Sequence, residues 1–346
     1  MIDRLLLSAL AVVWGTIITG VNFSEAADNP KELHAGCRYG LASSCESLGG
    51  LYFHGKGVEQ DLVQAATLYR RACDGGVARG CFTLGWMYDE GLGVAQDSTM
   101  AIALYRNACE GGYFAGCSNL GRIYQDGRGV PHDDAQAVTF YRHACEAGYF
   151  AGCFNLGVMY EDGRGVSQDL TQAAALYRKA CEGGHAPACS DLGVMYEDGH
   201  GVTKDRTKAM VLYRKACEEG AFSGCTNLGV MYMEGSGISQ NHAQAVALYR
   251  KACKGGHTPA CSNLGVMYES GQGMPPDNVE AAALYLKACE GGNAMGCFGL
   301  GGSYQYGKGV RQDHTDALTY YERACDLKLE RGCLAYTELK TGGKPE

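Results

Sequence analysis

Eighteen cysteines fall into nine pairs, and no other feature restricts what this chain can fold into as tightly. The first members, Cys37, Cys73, Cys109, Cys145, Cys181, Cys217, Cys253, Cys289 and Cys325, advance in steps of 36 without a slip. Each has a partner eight residues on, at Cys45, Cys81, Cys117, Cys153, Cys189, Cys225, Cys261, Cys297 and Cys333. A period of this length marks a stacked repeat, in which each unit buries its apolar face only against its neighbours. Metal binding is the competing use of paired cysteines. It is disfavoured because the seven-residue gap is not that of zinc knuckles and no histidine accompanies the pairs at a fixed offset. Disulfides are expected, each closing a loop of about nine residues worth roughly 2.5 kcal/mol.

One complete unit runs from Asp169 to Lys204. Ala173, Leu176, Tyr177, Ala180 and Cys181 recur at helical spacing, Asp169 with Gln172 three residues on forms an N-terminal cap, and Gly183-Gly184 offers a left-handed stop. The spacing predicts a first helix of about 13 residues. The cap recurs as Asp61, Asp97, Asp133, Asp205, Asp277 and Asp313, with Asn241 in the eighth place. A second helix is predicted from about Pro187 to Asp198 with Cys189, Leu192 and Tyr196 as its core stripe, stopped by Gly199. Its interior glycine, repeated as Gly49, Gly85, Gly121, Gly157, Gly193, Gly229, Gly265 and Gly301, costs about 1 kcal/mol against alanine, so a close helix approach is expected there.

With 46% apolar and 20% charged residues, the 346-residue chain is neither wholly disordered nor a polytopic membrane protein. Its net charge of −8 argues against nucleic acid or an anionic membrane surface as the main partner. The N-terminus reads as a signal peptide: Met1 to Arg4, an apolar stretch from Leu5 to Val21, then Ser24-Glu25-Ala26 with cleavage after Ala26. That stretch is shorter than the ~20 residues that span a bilayer and carries Ser8, Thr16 and Thr19. The expected plan is a signal peptide over 1–26, one solenoid of about nine repeats over 27–340 and a flexible tail over 341–346. Export to the periplasm or beyond agrees with the cysteine count, because disulfides persist in oxidising surroundings.

The run of LGVMYEDG, GxGV, the capping aspartate and A-x-x-LYRKAC resembles Sel-one-like repeat proteins, relatives of the tetratricopeptide repeat. The C-x7-C pair in every copy is similar to the Helicobacter cysteine-rich protein family, over roughly residues 30 to 340. The resemblance implies an all-α, right-handed α/α superhelix. It also implies a β-lactamase or penicillin-binding activity attached to some members, so penicillins and peptidoglycan fragments join protein and peptide among the candidate partners.

The residues themselves spell no hydrolase. No S-x-x-K or H-E-x-x-H occurs, and Lys340-Thr341-Gly342 stands alone in the tail. His54, His132, His143, His185, His200, His242, His257 and His314 are dispersed over loops and turns, so neither a metal nor a cofactor is expected. With every cysteine bridged, no thiolate nucleophile remains.

Three ladders on the second helix are candidate contacts for a ligand on a concave face. The first is Asn119, Asn155, Asn227 and Asn263, with Asp191 and Thr83 in the same place, suited either to an extended peptide backbone or to local bonds. The second is aromatic, with Phe82, Trp86, Phe154 and Phe298 serving either as anchors or as packing into the next repeat. The third is acidic: Asp89, Glu90, Asp126, Glu161, Asp162, Glu197, Asp198, Glu234 and Glu269. Arg70, Arg106, Arg142, Arg178, Arg214 and Arg250, followed by Lys179, Lys215 and Lys251, are available to neutralise it. If the two sets meet they form a solvated network; if not, the acids offer a negative groove for a cationic peptide.

Overall fold

Seven of the first helices begin on the side-chain oxygen of a repeated Asp or Asn. In the computed structural model, which describes residues 29–342, Asp61, Asp97, Asp169, Asp205, Asn241, Asp277 and Asp313 accept from backbone N–H groups two or three residues on. Each of these helices runs 13 residues, as the spacing predicts. Eighteen α-helices and no strand are present among the described residues. The signal-peptide expectation for 1–26 lies outside the described residues, as do residues 343–346 of the expected tail.

The chain divides into two compact bodies between Asp133 and Asp134. In the first, Pro30–Arg38, Ala42–His54, Leu62–Asp74, Ala78–Glu90, Ser98–Glu110 and Ala115–Asp126 each pack on the next. The second holds the helices from Asp134–Glu146 to Glu330–Thr341 in the same order of packing. There, second helices of adjoining repeats also touch: Ala186–Asp198 meets Phe222–Glu234, and Ala294–Tyr306 meets both Thr258–Ser270 and Glu330–Thr341. Each body is a row of stacked helix pairs, the packing order of a solenoid.

All nine expected disulfides are formed and no cysteine is free. Each bridge ties the last turn of a first helix to the first turn of the second across a turn of three residues, or four between Ser98–Glu110 and Ala115–Asp126. In the turn of the Asp169 repeat Gly184, at φ 87°, takes the left-handed position, whereas Gly183 stays at φ −78°. Lys328 occupies the equivalent place in the last repeat at φ 67°, the one positive-φ non-glycine among the described residues.

The second helix of the Asp169 repeat starts at Ala186, one residue before the expected Pro187. Its core stripe is Cys189, Leu192 and Met195, while Tyr196 is only half-buried. The correction has a geometric reason: the third and fourth residues after Leu192 both lie near the buried face, and the thioether fits the dry side whereas the phenol needs a hydroxyl partner. Gly193 confirms the expected close approach. A methyl built on it would lie 2.6 Å from Cε1 of Tyr213, the ring that docks from the next repeat. Gly157, Gly229, Gly265 and Gly301 seat Tyr177, Tyr249, Tyr285 and Tyr321 in the same way.

The final helix, Glu330–Thr341, departs from this design. Thr337 stands where the seat glycine falls, and Lys340 covers the Tyr336 ring at 4.9 Å while donating to its hydroxyl at 2.9 Å. The Lys340-Thr341-Gly342 run therefore forms the end of a helix, with the Thr341 hydroxyl donating to the Thr337 carbonyl at 2.9 Å.

Candidate functional site

Tyrosines docked from the first helices reach the second-helix face with their hydroxyls. In the body from Asp134 onward, Tyr177 donates to Glu161 Oε2 at 2.5 Å, Tyr213 to Glu197 Oε2 at 2.7 Å and Tyr285 to Glu269 Oε2 at 3.0 Å. Tyr321 donates to Gln305 at 2.6 Å. The Tyr249 hydroxyl has no carboxylate partner, because Met233 holds the place that glutamate has elsewhere, and Asn263 is the polar side chain beside it. Burial holds the Tyr177, Tyr213 and Tyr285 hydroxyls far above the ordinary phenol range, and the adjacent carboxylates add to the effect. The acidic ladder is therefore two ladders. Asp89, Glu161, Glu197 and Glu269 lie inward, whereas Glu90, Asp126, Asp162, Asp198 and Glu234, one residue on, are exposed.

The arginines do not neutralise these acids. Arg178 and Arg250 donate to the hydroxyls of Tyr196 and Tyr268 at 2.9 Å, Arg142 donates to Tyr160 at 3.4 Å, and Arg70 bonds Tyr88. The lysines that follow turn to the backbone: Lys179, Lys215 and Lys251 donate to the carbonyls of Cys145, Cys181 and Cys217 at 3.0, 2.8 and 2.9 Å. Those carbonyls end the preceding first helices, where a cation is favoured.

A different position governs the charge of the face. In the body ending at Asp133, Arg128 reaches back 39 residues to both oxygens of Asp89, at 3.1 and 3.2 Å, and that carboxylate is 3% exposed. Lys308 does the same to Glu269 at 2.7 Å in the second body. Both cations occupy the single residue between the two left-handed glycines that end each second helix. The same offset from Glu161 and Glu197 falls on His200 and Ser236, and neither acid has an ion pair among the described residues. Arg164, at the equivalent place opposite Gln125, turns to Asp134 at 3.1 Å.

Between Glu161 and Glu197 stands Asp191, half-buried in the asparagine ladder. Burial, with the Glu161 charge beside it, pushes its carboxyl up to about 6. The native state thus holds this proton more tightly than the unfolded chain. The stability so contributed is complete below the unfolded value near 3.8 and is lost as pH rises through about 6. Asp191→Asn, which supplies the residue that Asn155 and Asn227 provide in neighbouring repeats, is expected to stabilise the protein above pH 6. The gain is up to about 3 kcal/mol, vanishing near pH 3.5. Urea melts of both proteins between pH 3.5 and 8 check this, and identical midpoints at pH 7.5 contradict it.

The remaining ladder residues share this half-buried setting. Asn119, Asn155, Asn227 and Asn263 are all partly accessible, and Thr83 returns its hydroxyl to the Arg79 carbonyl at 3.0 Å. The aromatic ladder lies against neighbouring rings while keeping partial exposure. Phe82 meets Tyr105 and Tyr113 at 5.6 and 5.0 Å, and Trp86 meets Phe53 at 5.5 Å. Phe154 stacks on His185 at 4.8 Å, and Phe298 lies 5.5 Å from Tyr321. Of the histidines, His54, His143, His242 and His314 are on helices rather than in turns. Among the described residues, no helix is long and apolar enough to cross a membrane.

The tyrosine hydroxyls and the residue between the loop glycines were missed in the sequence. The alternation of Arg128, Arg164, His200, Ser236, Gln272 and Lys308 inside an otherwise fixed Gly-x-Gly was the available signal.

Comparison with known proteins accords with this architecture. A family model described as Sel1 repeat matches eight times, over residues 42–77, 78–113, 115–149, 151–185, 186–220, 223–257, 258–293 and 294–329. Among solved structures, c5321, a protective antigen of uropathogenic Escherichia coli displaying an SLR fold, is 31% identical with a TM-score of 0.71 over 91% of this chain and 68% of that one. A Sel1 repeat protein from Oxalobacter formigenes is 30% identical with a TM-score of 0.61, covering 64% of this chain and 94% of that one. Helicobacter pylori cysteine rich protein B is 34% identical over 38% of this chain and 93% of that one, with a TM-score of 0.32. No curated protein matches.

Proposed function

The chain belongs to the Sel1 repeat family, whose repeats build scaffolds of the kind used in protein–protein interaction, and we propose that it captures a cationic peptide segment along the second-helix face of the body from Asp134 onward. One observation carries this. Arginines and lysines near the ends of the first helices are engaged by tyrosine hydroxyls and cysteine carbonyls, and the loop position that neutralises Asp89 and Glu269 is His200 and Ser236 opposite Glu161 and Glu197.

A lysine or arginine side chain entering here meets Glu161, Asp191 and Glu197. Its charge returns the Asp191 carboxyl toward its ordinary range, so binding at a pH below the ligand-free value of about 6 releases a proton. Asn155, Asn227 and Asn263 supply amides that donate to and accept from an extended backbone. The bridges fix each helix hairpin beforehand, which lowers the ordering cost of docking. In the body ending at Asp133, taken by itself, we propose Phe82 and Trp86 as aromatic contacts for a ligand on its own second-helix face. Export directed by residues 1–26 places the protein in the periplasm or outside the cell, where its nine disulfides persist.

Titration calorimetry with a lysine-rich nonapeptide tests the proposal. Affinity is expected to rise between pH 5 and 7, to fall with salt, and to drop at least tenfold in a His200→Arg, Ser236→Arg double variant. That variant restores on both acids the pairing that Arg128 gives Asp89. An absent wild-type signal, or equal binding by the variant, refutes it.

A further inference from the structure

The second body holds a cleft of about 400 Å³ between Ala294–Tyr306 and Glu330–Thr341, a size suited to a small organic group. Two glycines open it. Gly299 falls where Asn227 and Asn263 stand in earlier repeats, and Gly302 falls where Val194, Val230 and Val266 stand. Gly302 is not required by packing. Its neighbour Gly301 seats the Tyr321 ring so closely that a methyl there would clash at 2.6 Å, whereas a methyl on Gly302 would meet nothing closer than the Tyr321 hydroxyl at 3.6 Å. A glycine inside a helix that leaves ordinary contact distance weakens the helix without gaining an approach, and its effect here is to empty the cleft.

The walls are rings and methyls: Phe298, Tyr306, Tyr321, Leu334 and Ala335. Tyr306 and Leu334 are 57% and 55% exposed, an unusual state for large apolar side chains flanking a concavity. At the rim Lys308 is held by Glu269, while Arg331 has no ion pair or hydrogen bond among the described residues. Glu338 lies seven residues along the same helix, about 10 Å further on, so the two charges mark opposite ends of the cleft.

We infer that this cleft is a binding site for an aromatic carboxylate, with the ring over the glycine backbone against the apolar wall of Phe298 and Leu334 and the carboxylate on Arg331. The C-terminal aromatic residue of a peptide and a free aromatic acid share this chemistry. The site shares only Glu269 with the acidic ladder, where Lys308 already holds it, and involves none of Glu161, Asp191 and Glu197.

Calorimetry and saturation-transfer NMR on the oxidised full chain test it with N-acetyl-L-tryptophan, N-acetyl-L-tryptophanamide and a heptapeptide ending in tryptophan. The acid is expected to bind at least tenfold more tightly than the amide. Gly302→Val, which installs the side chain of the neighbouring repeats, is expected to abolish binding while melting no lower than wild type. Arg331→Gln is expected to erase the preference for acid over amide, and the double substitution at His200 and Ser236 should change nothing. Tighter binding of the heptapeptide identifies a peptide terminus as the source; tighter binding of the acetylated amino acid identifies a free aromatic acid. Binding of neither carboxylate, equal binding of acid and amide, or full binding by both Gly302→Val and Arg331→Gln overturns the assignment.

Discussion

Graded reduction of the oxidised protein is expected to unfold it completely at a temperature where the bridged form is fully helical. The helix pairs are small, and much of their interior is alanine: Ala173, Ala174, Ala180 and Ala188 are buried around one bridge, with Tyr177, Leu192 and Met195 as the large side chains. Helices of 13 residues are marginal in isolation, so each hairpin depends on its covalent tie and on its neighbours. One bridge closing a loop of about nine residues contributes roughly 2.5 kcal/mol, and nine acting independently would contribute about 20. That exceeds the whole net stability of an ordinary domain, about 5–15 kcal/mol. Replacing only Cys181 and Cys189 by serine should remove about 2.5 kcal/mol and split the melt, because stability in a repeat array is a sum over units and interfaces. Circular dichroism melts against reductant concentration, with bridge counts by mass spectrometry, measure both effects. Equal melting of the oxidised and reduced chains would show that the apolar interfaces suffice and the bridges are incidental.

The period, the caps, the bridges and the reason for the interior glycine were all legible in the sequence, because each is a local or strictly repeated requirement. An aspartate that must accept from N–H groups three residues away declares itself wherever it stands, as Asp205 does with Lys208. Side-chain pairings between helices were less visible. Arg178 finds Tyr196 eighteen residues on, whereas Arg128 finds Asp89 thirty-nine residues back. Neither offset is a multiple of the repeat, and which cation reaches which acid depends on how each helix pair turns against the last. The sequence offered arginines and acids in matched ladders, and the plain expectation was that they pair. The phenol hydroxyls intervene: the docked, buried ones take the inward carboxylates, and those at the solvent edge take the arginines. Met195 and Tyr196 show the same limit at one residue's resolution: periodicity admits both to the core, and only the hydroxyl's need for Arg178 decides between them.

Gly193→Val is the sharpest test of how the repeats are joined. The first atom of the new side chain would stand 2.6 Å from Tyr213 Cε1 and 2.7 Å from Cδ1, and the branch adds two more methyls. Tyr213 has little room to withdraw. Its ring is 1% exposed, and its hydroxyl is held by Glu197 at 2.7 Å. Over-packing of a tight interior costs about 1–3 kcal/mol, and here the upper end is expected because both sides of the contact are fixed. Valine gains back only about 0.3 kcal/mol of helix propensity over glycine. The damage is to an interface and not to a hairpin, since the Cys181–Cys189 and Cys217–Cys225 bridges on either side stay intact. Hydrogen exchange should therefore accelerate where Ala186–Asp198 meets Arg206–Glu218, while both disulfides still form and the melt falls or divides. Gly302→Ala supplies the control, being the same chemistry in the same kind of helix with 3.6 Å of room, and it should be neutral or stabilising by up to about 1 kcal/mol. Unchanged melting and exchange in Gly193→Val would mean that the tyrosine seat is not what couples one repeat to the next.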